Sequence, residues 1–322
     1  MSAFERYLAQ EIPAINHFLE GATNSLNPLV QPAVRHMLLA GGKRLRPLLT
    51  ILTARALGYR QDNIYPLACS LELLHTATLL HDDIVDGASL RRGRETAHMR
   101  FGATHAILAG DALLALANRI VADYNTPELT SILSEGLLQT ATGEILELSH
   151  LRDTDLPLSS YLAIITGKTA HLIQAACLCG AVLAGADERL RQAAIALGIN
   201  CGIAFQLVDD ALDYTSPAHV SGKPTGGDLK EGKVTLPLIL YLAELPDDVR
   251  RRLAEDFRQD QLSAEDIEYL RDTIVSNGHA EKTRAMAATY LESAQTALAS
   301  FPPSPETDLI RQVLAPMIDR DK

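Results

Sequence analysis

The sequence predicts an all-α protein, built as a large single-domain helical bundle. Apolar residues recur at spacings of three and four along nearly the whole chain, which is the pattern of helices with a buried face. The β-branched alternation typical of strands is scarce, and Pro and Gly stand between the apolar segments. No linker rich in Pro, Gly or Ser divides the pattern, so we predict one domain over residues 1–322.

The predicted helices are bounded by these Pro and Gly residues. Several of them are apolar over most of their surface, which predicts inner helices of a thick bundle. In chain order they cover residues 4–21, 28–40, 45–57, 63–87, 102–123, 128–148, 158–184, 187–216, 233–244, 247–258, 263–276, 279–300 and 306–317.

Composition excludes several classes of function. The net charge of −11 argues against nucleic-acid binding, which needs a basic surface, and against adhesion to anionic lipid. The first residues lack the basic and apolar regions of a signal peptide. The longest apolar stretch, near 172–186, is interrupted by Gln174 and favours a buried helix over a membrane span.

The four cysteines lie within apolar helical patterns and show no spacing typical of a metal site. We expect reduced thiols that act as small core side chains, in a cytoplasmic protein. They are Cys69, Cys177, Cys179 and Cys201.

Two copies of a D-D-x-x-D pattern carry the main chemical signal. Asp82-Asp83-x-x-Asp86 and Asp209-Asp210-x-x-Asp213 each end a long apolar helix. In a helix, positions i and i+4 share a face, so the first and third aspartates project together while the middle one is rotated by roughly 100°. Like charges at this spacing, near a helix C-terminus, are unfavourable unless a cation neutralises them.

Magnesium fits this pattern, because it prefers oxygen ligands and is usually shared between one or two carboxylates and substrate phosphates. A single motif of this kind would more often be an ordinary helix end or turn, but two copies in matching apolar contexts favour a metal site. Calcium is the alternative metal, but the sequence lacks the loop pattern of an EF-hand.

Basic residues near the motifs predict anionic ligands. Lys43 and Arg46 stand at a helix start beside a Gly pair, and Arg91 and Arg92 follow the first motif closely. Lys168 and Thr169 follow Gly167, and Lys223 and Lys233 flank a Gly-rich segment beyond the second motif. Each is more often a surface residue when taken alone. A nucleotide-binding P-loop is rejected, because the segment 227–234 ends in Val234 and follows no strand.

With these residues in view, the chain resembles the trans-isoprenyl (polyprenyl) diphosphate synthases. The resemblance implies the isoprenoid synthase fold with a central active-site cavity. It also implies a prenyltransferase that joins isopentenyl diphosphate to an allylic diphosphate such as farnesyl diphosphate, with about two to three Mg²⁺ ions per site. A homodimer is expected from the family. The segments that match are Gly41–Pro47, Leu79–Gly93, Phe205–Asp213 and Gly222–Pro224.

The resemblance also implies a role for each matching residue. Asp82, Asp86 and Asp209 would be magnesium ligands, with Asp83, Asp210 and Asp213 in supporting or ligand roles. The residues that would hold the allylic diphosphate are Arg91, Lys168, Thr169, Gln206, Lys223 and Lys233. Those that would hold isopentenyl diphosphate are Lys43, Arg46, His75 and Arg92. Without the resemblance, His75 would be interpreted as a core histidine.

Product length is predicted from the helix that bears Asp82. Thr78, Ala77 and Leu74 lie on the preceding turns, where the product would grow, and none of them is aromatic. Because one turn advances about 5.4 Å, roughly one isoprene unit, open positions here predict a product of about C30 to C50 of the kind used as a quinone side chain.

Three alternatives remain beside this prediction. A terpene cyclase is disfavoured by the second Asp motif, and a geranylgeranyl or farnesyl diphosphate synthase would differ only in tunnel depth. A non-catalytic subunit of a hetero-oligomeric synthase would be expected to lack one motif, whereas this chain has both.

Overall fold

The fold is known from a computed structural model, which describes residues 2–215 and 226–317. Almost every regular element in these residues is a helix, which confirms the all-α prediction. The helices are α1 (Ala3–Thr23), α2 (Gln31–Leu38), α3 (Leu45–Ala56), α4 (Ile64–Val85), α5 (Ala97–Phe101), α6 (Ala103–Ala122), α7 (Pro127–Ser149), α8 (Leu158–Ile165), α9 (His171–Leu183), α10 (Glu188–Thr215), α11 (Gly227–Glu231), α12 (Leu236–Glu244), α13 (Asp247–Arg258), α14 (Ala264–Ser276), α15 (His279–Leu298) and α16 (Pro305–Leu314).

Three short elements complete the described chain. A two-stranded antiparallel hairpin joins β1 (Leu90–Arg91) to β2 (Arg94–Glu95). A π-helical turn (Thr166–Ala170) connects α8 to α9, and a 3₁₀ turn (Ala315–Met317) follows α16. The sequence pattern predicted neither the hairpin nor the π turn, since both are too short to show a repeating spacing of apolar residues.

The chain forms two compact units. The first comprises residues 1–138, 172–198 and 295–314, and the second comprises 139–171, 199–294 and 315–322. The prediction of a single domain over 1–322 is untested by this division and stays a prediction.

The core of the first unit surrounds α4. This helix is apolar on nearly every face, and Leu67, Leu71, Leu74 and Ala77 are fully buried. It packs closely against α6 and α3. At another contact in this unit, Gly180 of α9 lies so near the carbonyl oxygen of Thr50 on α3 that a Cβ atom would approach it to 2.5 Å. A helix buried on all sides positions its C-terminal Asp motif rigidly.

The second unit is built around the C-terminal half of α10. Leu207, Val208 and Ala211 are fully buried, while the acidic positions between them are less so. The segment 226–235 returns the chain to this helix, and the Gly226 N–H donates to the carbonyl oxygen of Asp213 (2.9 Å). The end of α10 is therefore anchored beside its own Asp motif.

Most predicted helices agree with the structure to within a few residues. The predicted helix 158–184 contains the π turn, and the predicted helix 233–244 begins only at Leu236, after the short helix α11. The additional helix α5 was not predicted. It begins after Thr96 and ends before Gly102, whose φ of 86° separates it from α6.

Within residues 2–215 and 226–317, three helical stretches are long and apolar enough to cross a membrane, by length and composition alone. They are Ala103–Ala122, Leu158–Leu183 and Glu188–Thr215. The apolar stretch that the sequence placed near 172–186 thus belongs to a longer helical run of 26 residues. Within that run Leu172, Ile173 and Ala176 are fully buried, as expected for an inner helix. The absence of a membrane span stays a prediction.

Candidate active site

The first Asp motif has two half-buried aspartates and one that is buried. Asp82 and Asp86 are partly exposed at the end of α4, whereas Asp83 is 1% exposed. The Nε of Arg91 donates to Oδ1 of Asp83 at 2.7 Å. The rotation of the middle aspartate agrees with helix geometry, and its partner is Arg91, which the sequence resemblance predicted to hold the allylic diphosphate.

The arginine hairpin, residues Leu90–Glu95, follows this motif. Its two-residue loop, Arg92-Gly93, has positive φ at both positions (51° and 73°), the geometry that matches the twist of a tight hairpin. The Nη1 of Arg92 donates to the carbonyl oxygen of Gly41. The hairpin therefore brings Arg92 onto the Gly-Gly segment that precedes Lys43.

Arg44 fixes that segment from the inside. Its guanidinium pairs with Glu72 (3.0 Å) and donates to the Leu38 carbonyl (2.6 Å), and the side chains of Arg44 and Glu72 are each 7% exposed. Lys43 remains exposed, and Arg46 is half-buried. Arg44 is a residue that sequence reasoning left without a role, and its pairing with α4 explains how the basic segment is held.

His75 lies among these cations. Desolvation, followed by the positive charges of Arg46, Arg91 and Arg92, lowers the pKa of His75 well below its usual value. The ring is therefore neutral at physiological pH. Its position among Arg46, Arg91 and Arg92 groups the residues predicted to hold diphosphate within the first unit.

The second unit contains a cavity of about 360 Å³ beside the second Asp motif. Six of the residues predicted from sequence line it: Lys168, Gln206, Asp209, Asp210, Asp213 and Lys233. Thr169 does not line it but donates from Oγ1 to Gln206 Oε1 at 2.7 Å. Lys223 lies outside the described residues. The lining of the cavity therefore contains both cations and carboxylates.

Lys168 is held by two glutamates that sequence reasoning missed. Its Nζ lies 2.9 Å from Oε2 of Glu144 and donates to Oε2 of Glu147. Burial opposes the charged form, but Glu147 and Glu144 outweigh it and raise the pKa of Lys168 overall. Lys233 pairs with Glu231 (2.6 Å) and lies 3.9 Å from Glu147. The i, i+3 spacing of Glu144 and Glu147 on α7 was the available signal.

Small residues allow helices to meet around Lys168. A Cβ atom on Gly143 would lie 2.1 Å from the backbone nitrogen of Lys168, and one on Gly202 would lie 2.4 Å from the Cα of Ala170. The π turn therefore packs directly against α7 and α10. Such turns within a helix frequently mark functional sites, and this one carries Lys168 and Thr169.

Asp210 resembles Asp83 in being turned inward. It is 4% exposed and accepts hydrogen bonds from Tyr161 Oη (2.5 Å) and Gln206 Nε2 (2.7 Å). Desolvation, only partly offset by these two bonds, raises the pKa of Asp210 to about 7. Asp210 therefore links Gln206 to Tyr161, a cavity residue that the sequence did not single out.

Asp228 is a further acidic residue of the cavity that sequence reasoning missed. Desolvation and repulsion from Asp213 and Asp210 raise the pKa of Asp228 well above its usual value. Its backbone N–H donates to Asp213 Oδ2 at 3.1 Å. The rejected P-loop frame contained this residue, and only the fold shows that it turns back towards the second motif.

The donor set fits a divalent cation that prefers oxygen. Desolvation is the main cause of the raised pKa values of Asp210 and Asp228, and the charges of neighbouring carboxylates add to it. Among residues 2–215 and 226–317, no three His, Cys, Asp or Glu side chains form a metal-binding group by themselves. Magnesium does not need such a group, because it is commonly held by one or two carboxylates together with phosphate oxygens and water.

The positions predicted to control product length lie on α4. Leu74 and Ala77 are fully buried and Thr78 is half-buried, with its hydroxyl donating to the His75 carbonyl (2.9 Å). Neither the site roles nor the product-length roles are tested by these positions, and both stay predictions. So does the convergence of the two Asp motifs on one diphosphate.

The sequence model of the polyprenyl synthetase family matches residues 27–274. The chain belongs to this family. It is a prenyltransferase that synthesises polyprenyl diphosphates, as the sequence resemblance implied. The matched region includes both Asp motifs and every basic residue assigned a role above.

Individual relatives match over most of their length. The chain is 32% identical over 314 residues to octaprenyl diphosphate synthase from Escherichia coli (strain K12), covering 98% of this chain and 97% of the relative. It is 34% identical over 296 residues to heptaprenyl diphosphate synthase component 2 from Bacillus subtilis (strain 168), covering 92% and 84%. Among solved structures, the polyprenyl synthase from Caulobacter crescentus CB15, complexed with calcium and isoprenyl diphosphate, aligns with a TM-score of 0.93. That alignment has 36% identity and covers 99% of this chain and 97% of the other.

Proposed function

We propose that this polyprenyl synthetase extends an allylic diphosphate, such as farnesyl diphosphate, to a medium or long all-trans product of about C30 to C50, assuming roughly one isoprene unit per helical turn of tunnel. The observation that carries the proposal is the cavity of the second unit, where Lys168 and Lys233 lie beside Asp209 and Asp213. A wall with both charges suits a diphosphate bridged to a divalent cation.

The allylic diphosphate is held by cationic and amide groups. Lys168 and Lys233 place ammonium groups at the cavity, and Gln206 is oriented between Thr169 and Asp210. As the allylic C1–O bond breaks, negative charge accumulates on the departing diphosphate, and these fixed cations stabilise it. Arg91, oriented by Asp83, would add a guanidinium fork for the same phosphate oxygens.

Two to three magnesium ions, about the number expected for a bridged diphosphate, would be held by Asp82, Asp86 and Asp209. When bound, magnesium supplies Lewis-acid stabilisation of the leaving group. The Caulobacter crescentus polyprenyl synthase, complexed with calcium and isoprenyl diphosphate, supports a divalent site in a related protein.

Isopentenyl diphosphate is assigned to the cations of the first unit. Lys43, Arg46 and Arg92 would hold its diphosphate, and the neutral ring of His75 would donate a hydrogen bond. Its double bond attacks C1 of the allylic cation in a 1′-4 addition, and a proton then leaves the new cation, to the released diphosphate, to form the product double bond. Holding the two substrates together supplies the rate advantage of proximity.

The product length is supported by the absence of an aromatic side chain at the three α4 positions Leu74, Ala77 and Thr78. A product of this length would serve as a quinone side chain. The alternative is a shorter product, of geranylgeranyl or farnesyl length, if side chains deeper in the bundle close the tunnel.

We also propose a homodimer in the cytoplasm. Support for self-association comes from exposed apolar side chains of the first unit, including Val85, Met99, Ile107 and Leu108. Four free, buried cysteines support a reducing compartment. The component number in the name of the Bacillus subtilis relative favours a second candidate, a subunit that needs a different partner chain.

One experiment tests these points together. The purified chain is incubated with magnesium, farnesyl diphosphate and labelled isopentenyl diphosphate, and the products are sized by mass spectrometry. We expect products of about C30 to C50, in line with roughly one isoprene unit per helical turn. A C20 product would refute the proposed length, and an inactive chain that gains activity only with another protein would refute the homodimer.

A further inference from the structure

Arg152, which does not line the cavity, makes an unusual set of contacts with the segment that carries Lys233. It follows α7 in a loop of the second unit and has a left-handed backbone, with φ of 61°. Its backbone N–H donates to the carbonyl oxygen of Gly232 at 2.7 Å. Gly232 is the residue immediately before Lys233.

The side chain of Arg152 also lies against that glycine. A Cβ atom on Gly232 would be 2.8 Å from Cγ, 3.2 Å from Nε and 3.3 Å from Cζ of Arg152. Gly232 itself has φ of 79° and ends α11. Two independent features therefore require glycine here, namely the positive φ and the close approach of the arginine stem.

The far end of Arg152 is fixed at a third point. Its Nη1 donates to the Phe257 carbonyl (3.2 Å), its Nη2 pairs with Asp260 (2.7 Å), and its guanidinium stands 5.8 Å from the centre of the Phe257 ring. Phe257 is 2% exposed, so α13 is a firm support. Arg152 spans the distance between this helix and the Gly232 turn.

Lys233 depends on the geometry of this turn. Its backbone N–H donates to the Asp228 carbonyl at 2.8 Å, and its side chain enters the cavity, where it pairs with Glu231 and approaches Glu147. Because Lys233 follows Gly232 directly in the chain, the Gly232 peptide transmits the placement of Arg152 to the cavity.

We infer that Arg152 is a positioning residue that clamps the Gly232 turn and thereby aims Lys233 at the allylic diphosphate. This inference rests on the role proposed for Lys233. The clamp acts through backbone placement, so its loss weakens binding of the one substrate that Lys233 holds.

The test is a double-mutant cycle on the full-length enzyme. Arg152→Asn removes the stem and guanidinium but retains a residue that tolerates the left-handed backbone. We expect it to raise KM for the allylic diphosphate about fivefold, the order of a weakened charged hydrogen bond. KM for isopentenyl diphosphate is expected to stay within about twofold of wild type. We propose that Arg152 acts only through Lys233. The double variant Arg152→Asn/Lys233→Ala should therefore have the same KM for the allylic diphosphate as Lys233→Ala alone.

Two further variants complete the design. Arg258→Asn removes the same charge from a nearby exposed arginine that pairs with Asp155 and makes no contact with Gly232, and it should leave both KM values unchanged. Arg152→Lys retains the stem but replaces the fork by a single ammonium group, and it should give an intermediate KM. It also serves as the test variant if Arg152→Asn is not folded.

The outcomes separate the two claims. An unchanged allylic KM in the Arg152 variants, or effects that multiply with Lys233→Ala, would overturn the clamp. An equal rise in both KM values would indicate a general structural role and overturn it also. If Lys233→Ala itself has no effect on the allylic KM, the assignment of Lys233 is refuted, and the clamp has no function to support.

Discussion

At the scale of single residues, the two Asp motifs share one arrangement. The middle aspartate of each is buried and bonded to a neighbouring side chain, Asp83 to Arg91 and Asp210 to Gln206 and Tyr161. The outer aspartates remain accessible. We therefore interpret the middle aspartates as supports for phosphate-binding groups and the outer ones as the metal-facing positions.

Asp83→Asn tests this division of roles. The substitution keeps the shape but removes the charge that orients Arg91. Loss of a charged hydrogen bond of about 1.5–3 kcal/mol predicts a rise in KM for the allylic diphosphate of roughly 10- to 150-fold. The magnesium concentration required for half-maximal activity should stay near that of wild type. Asp82→Asn is the matched variant and should raise that concentration; an equal rise with Asp83→Asn would make Asp83 a ligand instead.

His75 gives a pH-dependence with a definite sign. Its pKa is lowered in the folded state, so below the unfolded pKa of about 6.5 the unfolded chain binds a proton that the folded chain does not, and stability falls as pH falls. From pH 7.5 to 5.5 this predicts a loss of up to about 1.4 kcal/mol attributable to His75. Urea unfolding at the two pH values measures it.

The control for that measurement replaces His75 by glutamine, which does not titrate. His75→Gln should lose correspondingly less stability than wild type over the same interval, and the same comparison for His17→Gln on α1 sets the baseline for removing a histidine. A His75→Gln protein with the full wild-type pH-dependence would show that folding leaves the pKa of His75 unchanged.

At the scale of elements, periodicity predicted the long helices because their apolar residues fill buried faces over many turns. It could not find the arginine hairpin, whose strands have two residues each and whose order depends on Asp83 and on the loop Arg92-Gly93. Nor could it find the π turn, since Thr166–Ala170 differs from an α-helix in hydrogen bonding and not in composition.

Gly143→Ala tests the close packing around the π turn. The added Cβ would meet the Lys168 backbone nitrogen at 2.1 Å, which forces α7 and the turn apart. Overpacking typically costs about 1–3 kcal/mol, which exceeds the roughly 1 kcal/mol that alanine gains over glycine in a helix. We expect a lower thermal midpoint and reduced activity.

Gly21→Ala is the matched control for that substitution. Gly21 lies in α1 with no atom within 4 Å of the position of a Cβ atom, so alanine should stabilise the protein slightly or leave it unchanged. If Gly143→Ala were as well tolerated as Gly21→Ala, the contact between α7 and the π turn would be looser than the structure indicates.

At the scale of the whole molecule, product length should depend on the free space below Asp82. Ala77→Phe fills a buried position on α4 and is expected to shorten the product by at least about one isoprene unit, since one turn advances roughly 5.4 Å. Mass analysis of the products decides this. Ala33→Phe enlarges a similarly buried alanine on α2 and should lower stability without changing product length.

Much of the site could be predicted because its chemistry leaves a local pattern. Paired aspartates at i and i+4, and cations close behind them, are visible in the sequence without any fold. Glu144, Tyr161 and Asp228 were missed because each acquires its role only through packing, next to Lys168, Asp210 and Asp213 respectively. Arg152 was missed for the same reason, since its partner Gly232 is distant in sequence.

The cross-strand register of the arginine hairpin has a consequence for substrate affinity. Arg91 lies directly opposite Arg94, with Arg92 between them in the loop, and like charges in such pairs repel across a strand pair already too short to be stable alone. An anionic substrate would convert that repulsion into attraction. Local folding and ligand occupancy are then thermodynamically linked: amide hydrogen exchange across residues 88–96 should slow when pyrophosphate is added, and less so at high salt. Part of the intrinsic binding free energy goes into ordering the hairpin, so the measured dissociation constant understates the strength of the contacts themselves.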